Sequence, residues 1–493
     1  MREILYIDDT PGNRISYYLL LVFLVMLPFD RVYSELALIG LFLHTVVEVW
    51  PRGRRAGSRI GGGSRSRWGG NGSRGGWGGG GSRGGNDDGS RSGSFVAGRV
   101  FSFRWVGWLV SCLFLIMLVG VLYAPGWRDA ERHMEKQLAL VLFPWIAWHS
   151  RLDWSRVKWP LLKAFALSCF FTVVYLYVCA ILAAPDLGAL FTPDYLNHSF
   201  TAPIDAHATY FAMDVAIALV VVICVGIEER VLWVKVLYGL VAALFLLALV
   251  QLASRAVCLA VLVILNVLPW LLLKGRLRIV GAGVYILVSL LLALLVLRNQ
   301  TLYTRYLVSL KQDMTRVTGR EEDPEPRMVR WACAWELIRD SPWIGYGTGA
   351  EVPKLKERYY AHQLTISYTH ELNAHNQWLS YLLNVGLPGG VLYLAVLVAG
   401  GVVVWRRRDV LSGSFLVMVV AVSFSENLLD TNKGIFFFSL FFCLLFYPSV
   451  RPVVVTTGVV ADGEAVAAPE VVPAAEGMIA SANRSISSNW GLH

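Results

Sequence analysis

The sequence predicts an all-α polytopic membrane protein with about twelve transmembrane helices and a helical lid between helices nine and ten. Composition is the first reason, because hydrophobic residues make up 56% of the 493 residues and charged residues only 16%, whereas soluble domains carry about 25% charged residues. Mean hydropathy is accordingly positive, at +0.53. The second reason is length, since many apolar runs approach the roughly 20 residues that an α-helix needs to cross a bilayer. These observations exclude a soluble globular enzyme.

Each predicted span is a mostly apolar run that ends in polar or charged residues. The spans lie at 15–29, 33–50, 105–123, 137–148, 160–184, 208–226, 231–250, 256–273, 279–297, 377–404, 410–424 and 434–447. The first and fourth are short for a bilayer.

The spans divide the chain into six parts. They are residues 1–50 with the first two transmembrane helices, 51–100 as a disordered Gly/Ser/Arg-rich cytoplasmic loop, 101–297 with helices three to nine, 298–373 as a helical loop outside the membrane, 374–449 with helices ten to twelve, and 450–493 as a disordered cytoplasmic tail. Gly, Ser and Arg bury too little apolar area to offset the entropy lost on ordering, which predicts disorder at 51–100. The alternative for this segment is an arm that contacts RNA or anionic lipid headgroups.

Charge predicts the orientation. The formal net charge is +9, and the basic residues are unevenly placed. With the N-terminus in the cytoplasm, the cytoplasmic loops, such as those at 274–278 and 406–408, carry more Lys and Arg than the outside loops. The Arg-rich segment 51–100 also falls on the cytoplasmic side, so we expect the loop at 298–373 to face outside.

Two helices are predicted within that outside loop. Apolar residues recur at helical spacing in RMVRWACAWELIRD (327–340), and two prolines precede this segment. Pro342 and the GYGTG run (345–349) end the helix. The GLPGG run (386–390) predicts a break or bend in the tenth span at the membrane edge. The GYGTG run resembles half of a dinucleotide fingerprint, but it lacks the preceding strand and is predicted to be a turn. A second, basic helix is predicted at 352–361.

Three arginines are candidates for binding an anion. Arg255 lies between two apolar spans, where an arginine is costly unless it pairs with an anion or reaches the headgroups. Spacing alone leaves anion binding and interface anchoring open. Arg327 and Arg330 open the first lid helix, where guanidinium groups and free backbone N–H groups together favour an anion. The alternative for this pair is solvated surface arginine.

His375 is the candidate catalytic residue, because it lies where the lid meets the tenth span and imidazole is readily used as a general base near neutral pH. The alternative is a hydrogen-bonded histidine at the membrane interface. His207 and Tyr210 are candidate substrate-binding residues. The sequence contains no metal-ligand triad and no glycine-rich phosphate loop after a strand, so neither a metal nor a cofactor is expected.

Three segments together resemble the O-antigen ligase and O-antigen polymerase superfamily, which are bacterial envelope polysaccharide glycosyltransferases. The first is Ser254 with Arg255 at the start of a span. The second is RMVRW (327–331) followed by SPWIGYGTG (341–349), and the third is HNQWL (375–379) followed by GLPG (386–389). A large outside loop between spans nine and ten suits the ligase branch, and SENLLD (425–430) resembles relatives with an acidic residue before the last helix. The resemblance covers roughly residues 200–447, and the N-terminal third matches only in its number of spans.

The resemblance implies a metal-independent transferase that moves a glycan from undecaprenyl diphosphate to an acceptor hydroxyl at the periplasmic face of the bacterial inner membrane. The expected partners are the lipid-linked glycan donor, a lipid-anchored or glycan acceptor such as lipid A–core, and membrane lipid; nucleic acid is not expected. The arginines would then stabilise the leaving diphosphate, His375 would activate the acceptor hydroxyl, and Asn376 would orient a sugar hydroxyl.

Ligation is the predicted reaction. Polymerisation and protein O-glycosylation use the same donor and leaving group, so sequence hardly separates them from ligation. A transporter of a lipid-linked substrate is the alternative of a different class, and it would predict inverted repeats with broken spans at matching positions, which the sequence does not show. An RNA-tethering role through segment 51–100 is a third class.

Overall fold

The computed structural model describes residues 11–57, 104–150, 152–315 and 325–446. Within these ranges the chain is helical and contains no β-strand. Among the described residues, seven helices are long and apolar enough to cross a membrane, and four shorter helices are also apolar. The predicted all-helical polytopic membrane fold is thus confirmed, whereas the count of twelve spans and the outside position of the lid stay predictions.

The helices are numbered in chain order. The N-terminal group contains α1 (Pro11–Met26), α2 (Arg31–Gly57), α3 (Arg104–Val121), α4 (Trp127–Gln137), α5 (Ala139–His149) and α6 (Trp154–Ala183). The middle group contains α7 (Ala208–Glu228), α8 (Leu232–Leu252), α9 (Arg255–Leu272), α10 (Arg276–Arg298), α11 (Arg327–Asp340) and α12 (Glu351–Ala361). The last group contains α13 (Gln377–Arg407), α14 (Val410–Ser423) and α15 (Asn432–Phe446).

Two predicted segments can be compared directly with these helix boundaries. The predicted span at 137–148 corresponds to α5, which has 11 residues and therefore rises only about 16 Å, against a hydrocarbon core of about 30 Å. The predicted loop at 51–100 begins inside α2, which continues to Gly57. From residue 58 onwards that loop lies outside the described residues, as does the predicted tail at 450–493.

The core of the bundle forms around α7 and α15, whose side chains are buried along nearly their whole length. α7 packs against α6 and α8, and α15 packs against α3 and α5. Phenylalanine rings fill much of this core, with centroid distances such as 4.8 Å between Phe437 and Phe441. Close van der Waals packing of this kind is what holds helices together in lipid.

The lid consists of the described parts of 298–373. It contains α11 and α12, as predicted, and before them a short helix, a π-helical turn at Thr304–Val308 and a second short helix at Ser309–Asp313. α11 packs against α13 of the bundle. Buried side chains from both lid helices and from α13, among them Leu337, Leu355, Tyr359, Leu379 and Leu383, form a small core of their own.

A bend in α13 holds the lid in place, and it lies in the GLPGG run where the sequence predicts one. Gly386 has a φ of +65°, and a Cβ at this position would lie 2.4 Å from the carbonyl oxygen of Trp343. Only glycine therefore fits there. The next residue, Leu387, donates its N–H to the carbonyl of Pro342 at 2.9 Å, so the turn after α11 docks directly on the bend.

Candidate functional site

His375 lies in the turn between the lid and α13, with a φ of +47°. Its Nδ1 is 3.0 Å from Oε2 of Glu426, which lies between α14 and α15. An ionised carboxylate only accepts hydrogen bonds, so Nδ1 donates, and in the neutral imidazole Nε2 then carries the lone pair. The side chain is 28% exposed, and no hydrogen bond from the described residues occupies Nε2. The geometry therefore leaves one ring nitrogen able to accept a proton.

Glu426 is the charged partner of this imidazole. Burial alone would raise the pKa of Glu426, but the hydrogen bond from His375 and the positive charge of Arg327 lower it below its usual value. Nη2 of Arg327 lies 3.8 Å from Oε1 of Glu426. The carboxylate is consequently ionised near neutral pH and is placed to stabilise an imidazolium.

Two of the predicted arginines meet at an aspartate. Nε of Arg327 lies 3.6 Å from Oδ2 of Asp313, and Nη2 of Arg255 lies 2.5 Å from the same oxygen. Because Arg327 also pairs with Glu426, the ion pairs form a continuous chain that ends at His375. The structure thus brings together three of the predicted site residues.

An apolar cavity of about 710 Å³ lies beside these arginines, and its charged lining residues are Arg255, Asp313 and Arg327. Most of the remaining lining comes from aliphatic side chains of α8, α9 and α10, among them Leu249, Val261, Leu262, Leu292 and Val296. The cavity therefore combines apolar walls with a small group of charges, as an amphipathic ligand requires.

Arg330 and Asn376 lie behind the turn that carries His375. Arg330 is 4% exposed, and its Nη1 donates to the carbonyl of Asn373 at 3.3 Å. Burial lowers the pKa of this guanidinium. Asn376 caps α13, since its side-chain oxygen accepts from the N–H of Trp378 at 3.0 Å. Both side chains hold the turn in place, and their predicted contact with substrate stays a prediction.

His207 and Tyr210 approach the site from the start of α7. The ring of His207 lies 4.3 Å, between centroids, from the ring of His198. Burial lowers the pKa of His207 to about 4, with the charge of Glu426 acting in the opposite direction, so the ring is neutral at pH 7. The hydroxyl of Tyr210 donates to the carbonyl of Asn427 at 3.4 Å. Their role in substrate binding likewise stays a prediction.

Arg305 and Asp313 were not predicted as site residues from the sequence, and Glu426 was indicated only as part of an acidic segment. Arg305 lies on the π-helical turn, a feature that often marks functional sites. Burial lowers its pKa, and the nearby charges of Arg255 and Arg327 lower it further. Its Nε has no hydrogen-bond partner among the described residues. The available signal was an arginine among tyrosine and leucine residues a few positions after an apolar span, which is weaker than the position of Arg255 between two apolar spans.

Among the residues that the structure describes, no group of three or more His, Cys, Asp or Glu side chains is arranged to hold a metal ion. The charged side chains described for the site are the arginines and the two carboxylates, Asp313 and Glu426.

Comparison with known families gives a match to part of the chain. Residues 240–394 match the family model described as O-Antigen ligase, a segment that includes Arg255, Arg327, Arg330 and His375 but ends before Glu426. No curated protein sequence matches the chain. The match confirms the resemblance to the O-antigen ligase and polymerase superfamily.

Proposed function

We propose that this membrane protein, whose residues 240–394 match the O-Antigen ligase family model, transfers a glycan from undecaprenyl diphosphate to a hydroxyl of an acceptor, lipid A–core or a similar anchor. The reaction would take place at the periplasmic face of the bacterial inner membrane. One observation carries the proposal: an apolar cavity is lined by Arg255 and Arg327, and the ion pairs of Arg327 lead to the pair of His375 and Glu426. A polyprenyl diphosphate has the matching two-part chemistry, with an apolar chain and an anionic head.

The donor would bind with its lipid chain in the cavity and its diphosphate at the arginines. Both guanidiniums now contact Oδ2 of Asp313, and a phosphate oxygen is the natural competitor for that position. Guanidinium groups stay charged and grip phosphate through two parallel hydrogen bonds. We infer that the diphosphate displaces Asp313, and that Arg305 adds a third positive charge.

His375 would act as the general base. Its Nε2 accepts the proton of the acceptor hydroxyl while that oxygen attacks the anomeric carbon of the glycan. The bond between this carbon and the diphosphate oxygen breaks, and the departing diphosphate gains one negative charge. Arg255 and Arg327 stabilise that charge, and Glu426 stabilises the imidazolium until its proton passes to water. In this proposal guanidinium groups supply the positive charge that a metal supplies in other transferases.

The remaining candidates would act around this centre. His207 uses Nδ1 to accept the N–H of Thr209 at 3.3 Å, so we propose that its Nε2–H donates to a sugar hydroxyl, with Tyr210 packed beside it. Arg330 and Asn376 would act through the turn that carries His375.

Reconstitution tests the proposal. The purified protein is placed in proteoliposomes with an undecaprenyl-diphosphate-linked glycan and lipid A–core, and the product is identified by gel and mass spectrometry. We expect His375→Ala to lower transfer by roughly 10²- to 10⁴-fold, the usual contribution of a general base. The matched control is His370→Ala, because His370 is an exposed histidine of the same lid.

The chemical identity of the product distinguishes ligation from polymerisation and from transport. Glycan on lipid A–core supports ligation, whereas longer glycan still on undecaprenyl diphosphate would show the polymerase reaction. Movement of the intact donor across the bilayer without a new bond would show a transporter. Full activity of His375→Ala would remove this residue from the chemistry.

A further inference from the structure

Directly behind the site, two carboxyl groups share one amide. Glu351, the first residue of α12, is 4% exposed, and Asp430 lies in the turn before α15. Nδ2 of Asn427 is 3.0 Å and 2.8 Å from the two carboxyl oxygens of Glu351 and 2.7 Å from Oδ2 of Asp430. An amide nitrogen carries two hydrogens, so three oxygens compete for two donors.

These contacts enclose the backbone on both sides of His375. Oε1 of Glu351 accepts the N–H of Ala374 at 3.0 Å, one residue before the histidine. Oδ1 of Asn427 accepts the N–H of Asn376 at 2.8 Å, one residue after it. Asn427 itself follows Glu426 in the chain, so a single buried cluster connects the two turns that carry the imidazole and its carboxylate.

His375 needs such support because of its backbone. Its φ of +47° lies in the left-handed region, which is unfavourable for a residue with a Cβ and persists only where surrounding contacts hold it. The N–H of His375 also donates to the side chain of Asn373 at 3.0 Å. Without the enclosing hydrogen bonds, the turn would relax and move the ring away from Glu426.

Positive charge is scarce around this cluster. The hydrogen bonds that the structure describes for Glu351 and Asp430 involve no lysine or arginine. Asp430 accepts from the hydroxyl of Ser380 at 3.0 Å. Its other oxygen lies 3.7 Å from Nε2 of His133, whose pKa is lowered by burial. The other titratable groups that interact with the pair are tyrosines: Tyr359 beside Glu351, whose pKa burial raises, and Tyr210, Tyr381 and Tyr393 beside Asp430. None of these side chains supplies a positive charge.

Two ionised carboxylates in this setting would repel each other. Burial raises the pKa of Glu351 to about 7, and the charge of Asp430 raises it as well. A proton on one carboxyl group removes the second negative charge and leaves Asn427 with acceptors that it can satisfy.

We propose that Glu351 and Asp430 hold one proton between them, and that this protonated pair, acting through Asn427 and the N–H of Ala374, positions His375 against Glu426. Glu351 is then a positioning residue for the transfer reaction. The effect on turnover rests on the proposed function, whereas the protonation and the geometry of the turn do not.

The variant Glu351→Gln tests whether the carboxyl pair holds a proton, because glutamine resembles the protonated carboxyl group in shape and charge. A group whose pKa is raised on folding contributes stability below its unfolded pKa and loses it as pH rises through the folded value. The thermal unfolding midpoint of Glu351→Gln should therefore rise relative to that of the native protein between about pH 4.5 and 7. Turnover of the native protein should also fall as pH rises through about 7, and the variant should lack that fall.

Alanine tests the positioning. We expect Glu351→Ala to lower kcat about 10- to 100-fold, the scale of a small misplacement of a reacting group, with little change in the KM for the donor. The labelling rate of His375 by diethylpyrocarbonate, read by peptide mass spectrometry against His370, should rise. Glu357→Gln is the control, since Glu357 is an exposed carboxylate of the same helix and pairs with Lys354.

The proposed function, the shared proton and the positioning role can each be refuted independently. A native protein without transfer activity would refute the proposed function, and labelling and thermal unfolding would still decide this inference. A difference in unfolding midpoint that does not vary with pH would overturn the shared proton. Unchanged labelling and kcat in Glu351→Ala would overturn the positioning role. If the alanine variant does not fold, the pH series of the glutamine variant decides alone.

Discussion

Replacing Asp313 by asparagine removes the carboxylate that sits between two arginines of the candidate site, and we expect the donor to bind more tightly as a result. The native carboxylate contacts Arg255 at 2.5 Å and Arg327 at 3.6 Å. A donor diphosphate must break these contacts before it can use the same guanidinium groups. Asparagine keeps the size of the side chain but offers a neutral competitor.

The size of the expected change in donor affinity follows from the solvent exposure of Arg255 and Asp313. The side chains of Arg255 and Asp313 are 19% and 21% exposed, so the contact lies between a solvated ion pair, worth about 0–1 kcal/mol, and a charge-assisted hydrogen bond, worth about 1.5–3 kcal/mol. We assign ~1–2 kcal/mol to the contact between Arg255 and Asp313 that the donor must break. Because about 1.4 kcal/mol corresponds to a factor of ten in an equilibrium constant, the Kd for the donor should fall about 5- to 30-fold.

Equilibrium binding of labelled undecaprenyl diphosphate to protein in nanodiscs measures this change. Asp340→Asn is the control, because Asp340 also pairs with an arginine, Arg358, but on the lid surface. Weaker binding by Asp313→Asn would refute the reasoning, since it would show that the carboxylate orients the arginines for the donor instead of competing with it.

Three further predictions use the same assays. Arg255→Lys should lower kcat/KM about 10- to 100-fold, because lysine cannot make two parallel bonds to phosphate; near-normal turnover would mean that Arg255 only anchors its helix. Glu426→Gln should lower kcat by about 10- to 100-fold, the loss of one charge-assisted hydrogen bond, and should not weaken donor binding, because Glu426 also pairs with Arg327 at 3.8 Å and competes with the donor there; a loss confined to donor binding would contradict its pairing with His375. Deleting residues 56–94 should leave transfer by the inserted protein unchanged, and complete loss of activity would show that this segment acts in the reaction.

Several features followed from the sequence. Apolar run length predicted the membrane-spanning helices because hydrophobicity is a local property of the chain, and proline and glycine predicted the end of α11 and the bend in α13 for the same reason. The order of three short motifs identified Arg255, Arg327 and His375, and the family match confirmed the resemblance on which they rest. The helix α5 shows the limit of this approach, because its 11 residues are apolar but too few to cross a bilayer core of about 30 Å.

The partners of those residues came only from the tertiary structure. Asp313 lies 58 residues from Arg255 along the chain, and Glu426 lies 51 residues from His375. Glu351 and Asp430 are likewise brought together by Asn427, 76 residues from Glu351. Periodicity records which face of a helix is apolar, but it carries no information about which polar turns meet at the end of a bundle. Helix packing determines which polar turns come into contact, and the proposed chemistry of this protein depends on those contacts.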